Sequence, residues 1–107
     1  MRHDLLKGHL DAMLLAVVAD GPAHGYAIVE ALRVRSAGAL ALSEGTVYPA
    51  LHRLEEEGLL ESRWVTASGR SRRVYQVTRP GREVLGIKRH EWREFADVVN
   101  AILAGAE

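Results

Sequence analysis

The sequence contains no cysteine, and it has only three prolines and one phenylalanine among its 107 residues. Without cysteine the chain can form no disulfide and use no thiol chemistry, which fits a reducing compartment. No apolar run approaches the roughly 18 residues of a membrane span. The charged N-terminus also lacks the apolar centre of a signal peptide. We therefore expect a cytoplasmic protein that does not associate with a membrane.

Motifs that would indicate an enzyme or a metal site are also missing. The five histidines show neither HxxxH nor HExxH spacing, and no GxSxG, GxGxxG or GxxxxGK[ST] motif occurs. Glu55, Glu56 and Glu57 are consecutive, so their carboxylates diverge on a helix and cannot converge for acid–base work. We expect no enzymatic activity, no cofactor and no metal ion.

The chain has no net charge, but its charges are unevenly distributed. Residues 61–82 contain six arginines and a single glutamate, whereas residues 43–60 and 83–107 are acidic overall. A polyanion responds to the local field more than to the net charge. The basic segment therefore keeps nucleic acid among the candidate partners.

Hydrophobic periodicity and helix breakers predict four helices and one hairpin. Ser43 and Thr78 are expected N-caps, and His24 is a candidate cap for the second helix. The order predicts a mainly α fold with a small β-hairpin, a winged helix-turn-helix, over residues 1–78. Residues 79–107 would add a C-terminal dimerisation helix to the same compact unit. The predicted elements are helices over 5–19, 25–35 and 44–57, strands over 59–65 and 73–77, and a helix from Thr78 to about Leu103.

The third helix has the pattern of a DNA recognition helix. At 100° per residue, its apolar side chains Val47, Ala50, Leu51 and Leu54 share one face. The N-terminal half of a recognition helix approaches the major groove. The alternative is an ordinary surface helix with a solvated acidic end. The candidate DNA contacts are polar, small or aromatic, namely Ser43, Gly45, Thr46, Tyr48, Pro49, His52 and Arg53.

Pro49 lies inside this helix, where proline removes a backbone donor and costs roughly 3 kcal/mol. It deprives the Gly45 carbonyl of its partner and is expected to bend the first half of the helix. It also lies on the face opposite the apolar one, so the bend would leave the core intact and present Tyr48 to DNA.

The hairpin has the composition of a wing. Gly69 permits a tight turn, and Arg70, Arg72 and Arg73 follow it closely enough to reach phosphates or a minor groove. A solvated loop is the alternative. Because the cluster directly follows a candidate recognition helix, we favour contact with DNA.

The last helix carries an apolar stripe of the a/d type. Leu85, Trp92 and Val99 recur every seven residues, and Phe95 and Ile102 interleave with them. Since the other elements already suffice for a small core, the stripe predicts a homodimer seam, which would match a palindromic operator. Trp92 has two interpretations, a buried anchor of the seam or a platform for a flat aromatic ligand.

Three stretches resemble the PadR family of bacterial transcriptional regulators: LKGHLDAMLLAVVADGPAHGYAI, EGTVYPALHRLEEEGLLES and GRSRRVYQVTRPGREVL. The resemblance extends over about residues 5–103. Length and the single C-terminal helix with Trp92 are similar to the short PadR subfamily. The resemblance implies a homodimeric repressor that binds double-stranded DNA through the third helix and wing, with Tyr48 and the wing arginines on the backbone.

The resemblance also implies that the fourth helix packs against the first helix of the partner. The interface would comprise Leu6, Leu10, Leu85, Trp92, Phe95, Val99, Ile102 and Leu103. Some relatives respond to small aromatic or phenolic effectors, which implies a ligand site at Trp92, Ala96, Asp11 and Ala12. Ala96 lacks the carboxylate that some relatives have there, which weakens the expectation of cationic drugs.

Two other functions remain as alternatives. The first is a winged helix that serves as a protein–protein interaction module without binding DNA. The second is a ligand-binding dimer that has lost DNA binding.

Overall fold

The computed structural model describes Leu6 and residues 8–106, and it contains four helices and three strands. The predicted mainly α fold with a small β-sheet is confirmed. Residues 1–5 and 7, which include part of the predicted first helix, lie outside the described residues. In chain order the elements are α1 (Leu10–Ala19), β1 (Ala23–His24), α2 (Gly25–Arg35), α3 (Glu44–Glu56), β2 (Leu60–Ala67), β3 (Arg70–Val77) and α4 (Arg79–Ala104).

Polar side chains cap three of the helices, as the sequence indicated. Ser43 accepts a hydrogen bond from the backbone N–H of Thr46 at the start of α3. Thr78 accepts one from the N–H of Gly81 at the start of α4. His24 caps α2 through Nδ1, which accepts from the N–H of Ala27 at 3.2 Å. Each cap satisfies a backbone donor that has no partner within its helix.

The sheet differs from the predicted two-stranded hairpin in two respects. It has three antiparallel strands in the order β1-β3-β2, because Ala23 and His24 pair with Tyr75 and Val74. The wing is also longer than predicted. The stretch 66–72 is not a loop, because β2 and β3 stay paired to the last residue before a two-residue turn at Ser68 and Gly69. Both turn residues have positive φ, 53° and 75°, which suits the tightly twisted hairpin turns of this length.

The core lies between the helices and the sheet. The apolar face of α3 predicted from periodicity is confirmed, since Val47, Ala50, Leu51 and Leu54 are all buried. Burying such side chains is the main stabilising contribution to a domain of this size. The other fully buried side chains come from α1, α2 and β2, and they are Leu14, Leu15, Val18, Ile28 and Leu60.

The start of α4 presses against the sheet without any intervening side chain. A Cβ added at Gly81 would lie 2.0 Å from the carbonyl oxygen of Leu59 and 2.7 Å from Cγ2 of Val77. Leu85, one turn further on, is buried in the same core. The rest of α4 is largely exposed, and the molecule measures 62 × 29 × 20 Å. Within the described residues, no helix combines the length and the apolar character needed to cross a membrane.

Pro49 does not interrupt α3, which runs from Glu44 to Glu56 with the proline inside it. The Gly45 carbonyl therefore lies in a continuous helix but cannot receive a hydrogen bond from residue 49. The expected bend over residues 45–49 stays a prediction.

Candidate nucleic-acid interface

An open groove of about 530 Å³ separates the start of α2, the exposed face of α3 and the wing. Its lining is polar, cationic and aromatic, and it includes no carboxylate. Two arginines of the wing, Arg70 and Arg72, belong to it and form no salt bridge with any described residue. The lining residues are His24, Gly25, Tyr26, Tyr48, His52, Arg70, Arg72, Arg73 and Tyr75.

Tyr48 is held against the first residue of α2. A Cβ added at Gly25 would lie 2.4 Å from Cε1 of Tyr48 and 3.1 Å from its hydroxyl oxygen. The ring therefore packs directly on the glycine backbone, which places its hydroxyl beside His24. Burial raises the pKa of Tyr48, as do the nearby Glu44 charge and a hydrogen bond to that carboxylate, so the phenol is neutral at neutral pH. The predicted role of Tyr48 as a phosphate contact stays a prediction, but its position suits that role.

Arg72 reaches across the groove to His24. Its Nη1 lies 2.8 Å from Nε2 of the imidazole, while Nδ1 of the same ring caps α2. Burial and the adjacent Arg72 charge lower the pKa of His24. The imidazole is therefore neutral at pH 7, and only one of its two nitrogens carries a proton.

Arg73 differs from its two neighbours in the wing because its guanidinium has partners in the protein. Nε donates to the Ser62 hydroxyl at 2.7 Å, and Nη2 lies 3.4 Å from the Glu55 carboxylate. The same hydroxyl donates to the other oxygen of Glu55 at 2.6 Å. The guanidinium also lies 5.9 Å from the centre of the Trp64 ring, within range of a cation–π interaction. Arg73 thus ties the wing to the acidic end of α3.

Arg53, another predicted DNA contact, is also engaged by protein groups. It forms an ion pair with Asp11 on α1 and approaches Glu57 at 3.9 Å. The remaining predicted contacts of α3 are exposed, and His52 faces the groove. Gly69 forms the tip of the wing. The exposed residues of this group are Ser43, Gly45, Thr46, Pro49 and His52.

The predicted ligand residues lie on α1 and α4. Trp92 is 53% exposed, and its ring and that of His9 pack in a T-shaped arrangement with ring centres 5.1 Å apart. Ala96 follows one turn later and is half-buried, as is Ala12 on α1. Asp11 is engaged by Arg53. The described residues contain no group of three or more potential ligands that could hold a metal ion.

The predicted dimer residues fall into two groups. Leu6 and Leu85 are buried in the core of their own chain, 7% and 3% exposed, so they are not available to a partner in this conformation. Four others remain largely exposed on α4, namely Trp92, Phe95, Ile102 and Leu103. Leu10 and Val99 are half-buried.

Sequence reasoning missed four residues that line the groove, namely Tyr75 on β3 and the consecutive residues His24, Gly25 and Tyr26. His24 was expected only as a helix cap. The three consecutive residues join α3 and the wing because β1 pairs with β3. A two-residue strand has no periodicity to detect, so the HGY triplet after Pro22 was the only available signal.

The fold and groove define a winged helix-turn-helix protein with a basic cleft, and comparisons with known proteins agree. The Transcriptional regulator PadR-like family matches residues 14–87. Transcriptional regulator Rv3488 of Mycobacterium tuberculosis is 41% identical over 83 residues, which cover 78% of this chain and 75% of that protein.

Two solved structures are similar over almost the whole chain. A PadR family transcriptional regulator from Eggerthella lenta superposes with a TM-score of 0.85 at 31% identity, covering 96% of this chain and 88% of its own. A transcriptional regulator from Clostridium thermocellum superposes with a TM-score of 0.86 at 27% identity, covering 94% and 96%. The chain belongs to the PadR-like family of transcriptional regulators, and its class is therefore not that of an enzyme.

Proposed function

We propose that this regulator binds double-stranded DNA as a homodimer and represses transcription, with release by a small aromatic effector. The observation that carries the DNA-binding part is the groove, in which Arg70 and Arg72 face solvent with no acidic side chain in the lining. The exposed N-terminal half of α3 borders the same groove through Tyr48 and His52. In this arrangement α3 would read base edges while the wing neutralises phosphates. Acting on DNA, the protein would work in the cytoplasm.

The homodimer is supported by the apolar side chains that α4 leaves uncovered. Phe95, Ile102 and Leu103 are 59%, 72% and 79% exposed, and they lie on one side of a helix about 39 Å long. Large exposed apolar patches mark protein interfaces. Two-fold pairing through this surface would present two copies of α3 to a palindromic operator whose half-sites lie about 34 Å apart.

The effector site is proposed at Trp92, with Ala96 and Ala12 nearby. A half-exposed indole on the proposed interface offers a flat surface to a planar molecule. Such a ligand would favour one of two dimer geometries and so change the spacing of the recognition helices. The alternative role of Trp92, a plain anchor of the dimer, predicts no response to planar compounds.

DNA binding is tested by selecting duplexes from a random library with the purified protein and measuring their affinity by fluorescence anisotropy. The double variant Arg70→Ala/Arg72→Ala should bind at least tenfold more weakly, and its affinity should depend less steeply on salt. The matched control is Arg89→Ala/Arg93→Ala, which removes two exposed arginines of α4 outside the groove. Failure of the wild type to bind any duplex would favour the protein–protein module instead.

Dimerisation is tested by sedimentation of the Ile102→Glu variant. A buried carboxylate at the seam should shift the protein to monomer at micromolar concentration. Ala101→Glu, an exposed change on the opposite side of α4, should leave the dimer intact. A wild-type protein that sediments as a monomer would contradict the proposed dimer interface on α4.

Effector binding is tested by fluorescence in a Trp64→Phe background, which leaves Trp92 as the remaining indole. Quenching by phenolic acids or planar dyes, together with their release of bound DNA, would support the proposed site. Quenching without any affinity for DNA would favour a ligand-binding dimer that has lost DNA binding.

A further inference from the structure

The two contacts of His24 cannot both be hydrogen bonds to a neutral ring, which has one N–H and one acceptor nitrogen. When Nδ1 accepts from the Ala27 N–H, the proton of the neutral ring lies on Nε2. Nε2 is the atom that Arg72 Nη1 approaches at 2.8 Å. A guanidinium has five N–H donors and no acceptor. Two donors therefore face each other, and no hydrogen bond can form between them while the α2 cap is intact.

Moving the proton to Nδ1 would not resolve this conflict. Nε2 could then accept from Arg72, but the N–H of Ala27 would lose its acceptor and α2 its cap. Losing a cap costs about 1 kcal/mol. An anionic oxygen placed between Nε2 and Nη1 would instead accept from both groups and leave the cap in place.

The surroundings favour an anion at this point. The groove lining holds three arginines and no carboxylate. Tyr48 borders the same groove, but its hydroxyl is engaged by Glu44. The polar groups that meet at this point are therefore Nε2 of His24 from the start of α2 and Nη1 of Arg72 from β3.

We propose that neutral His24 donates from Nε2 to a DNA backbone phosphate, which it shares with Arg72, while its Nδ1 continues to cap α2. This inference rests on the proposed DNA binding and adds a residue outside the recognition helix and wing. Through His24, the start of α2 would also contact the phosphate backbone of the DNA. In the DNA-free protein, burial and the Arg72 charge lower the pKa of His24, so the proposed contact is that of a neutral hydrogen-bond donor.

Two variants of His24 distinguish its proposed role as a hydrogen-bond donor to DNA from its role as the N-cap of α2. His24→Ser keeps a good N-cap acceptor but removes the Nε2 donor. His24→Gln places an amide N–H at a similar distance from the backbone as Nε2 but caps a helix poorly. Thermal unfolding should therefore show a nearly unchanged His24→Ser protein and a less stable His24→Gln protein. Affinity for DNA should rank the other way, with His24→Gln binding more tightly than His24→Ser.

The decisive measurement is anisotropy with the fluorescein-labelled duplex recovered by selection and with a duplex of mixed sequence, between 50 and 200 mM salt. His24→Ser should weaken binding to both duplexes by about tenfold, because a phosphate contact carries no sequence information. The slope of log affinity against log salt should stay unchanged, since a neutral donor releases no counterion. Arg72→Ala should lower that slope by about one unit.

Three results would overturn the inference. One is a wild type that binds both duplexes while His24→Ser binds them equally well. Another is a salt slope that falls by about one unit in His24→Ser, which would make His24 a cationic contact. The third is a ¹⁵N spectrum of the complex in which Nδ1 carries the proton. Failure of the wild type to bind any duplex would instead overturn the proposed function, and this inference with it.

Discussion

Arg53 on α3 forms an ion pair with Asp11 on α1, 42 positions earlier in the chain. Both residues line a second cavity of about 340 Å³ between α1 and the start of α3, which Thr46 and Leu42 also border. The pair therefore fixes α3 against the helix on which the proposed effector residue Ala12 lies. It also explains why Arg53 is not free to extend toward DNA in this conformation.

The strength of this pair can be measured with a double-mutant cycle. Asp11→Asn, Arg53→Gln and the double variant should show a coupling of about 0.5 kcal/mol in the free energy of unfolding, since Arg53 is half-exposed. Salt screens exposed charges, so the coupling should shrink toward zero in 1 M NaCl. Strictly additive effects in dilute buffer would contradict the ion pair.

The wing arginines should divide into a structural and a DNA-binding group. Arg73→Ala removes the contacts with Ser62, Glu55 and Trp64, so urea unfolding should show a loss of about 1 kcal/mol. The slope of log affinity for DNA against log salt should be the same as in the wild type. Arg70→Ala should leave stability unchanged, because Arg70 is exposed, and should lower the slope by about one unit.

The same measurements decide the assignment of Arg73. A reduced salt slope in Arg73→Ala with unchanged stability would return this residue to the DNA contacts that the sequence predicted. Arg63→Ala, an exposed arginine on β2 outside the groove lining, is the control for general loss of charge from the wing.

Two glycines of α4 should respond in opposite ways to alanine. Gly81→Ala would place Cβ 2.0 Å from the Leu59 carbonyl oxygen, which forces the backbone to move and should cost about 1–3 kcal/mol. Gly86→Ala meets no atom within 4 Å and should gain about 0.5–1 kcal/mol from helix propensity. Equal melting temperatures for the two variants would contradict the close packing of Gly81 against the Leu59 carbonyl.

The DNA-free protein should lose stability in mild acid through His24. Its pKa in the folded protein lies below the 6.5 of an unperturbed histidine, so below that pH the unfolded chain binds more protons than the folded one. Stability is then lost as the pH falls below about 6.5. Protonation also ends the Nδ1 cap of α2. The melting temperature of the wild type should fall more between pH 7.5 and 5.5 than that of His24→Ser, whose cap does not titrate. If the melting temperatures of the two proteins fall in parallel as the pH is lowered, His24 does not account for the loss of stability.

The helices were predictable because their limits are local. Ser43 and Thr78 are polar caps directly before their helices, and the buried face of α3 follows from spacing alone. The wing was misjudged because the polar stretch over residues 66–72, with Gly69 at its centre, suggested a loop. Strand pairing there is decided by backbone hydrogen bonds, which tolerate any exposed side chain.

The contacts of the candidate site could not be predicted, because they join distant parts of the chain. His24 meets Arg72 over 48 positions, and Arg73 meets Glu55 over 18. An arginine engaged by a carboxylate and an arginine open to solvent look alike in a sequence. The separation of Arg73 from Arg70 and Arg72 therefore required coordinates.

The close approach of Gly81 to the Leu59 carbonyl fixes the position at which α4 begins. From that point to Leu103, α4 extends about 33 Å at 1.5 Å per residue, and its far end projects beyond the sheet and the other helices. A tilt of about 5° at Gly81 would displace Leu103 by about 3 Å, given that rise per residue. If two chains were joined near these ends of α4, such a tilt would change the distance between their two wings. The missing side chain at Gly81 thus determines how closely α4 starts against the sheet, and with it the direction in which the helix leaves the domain.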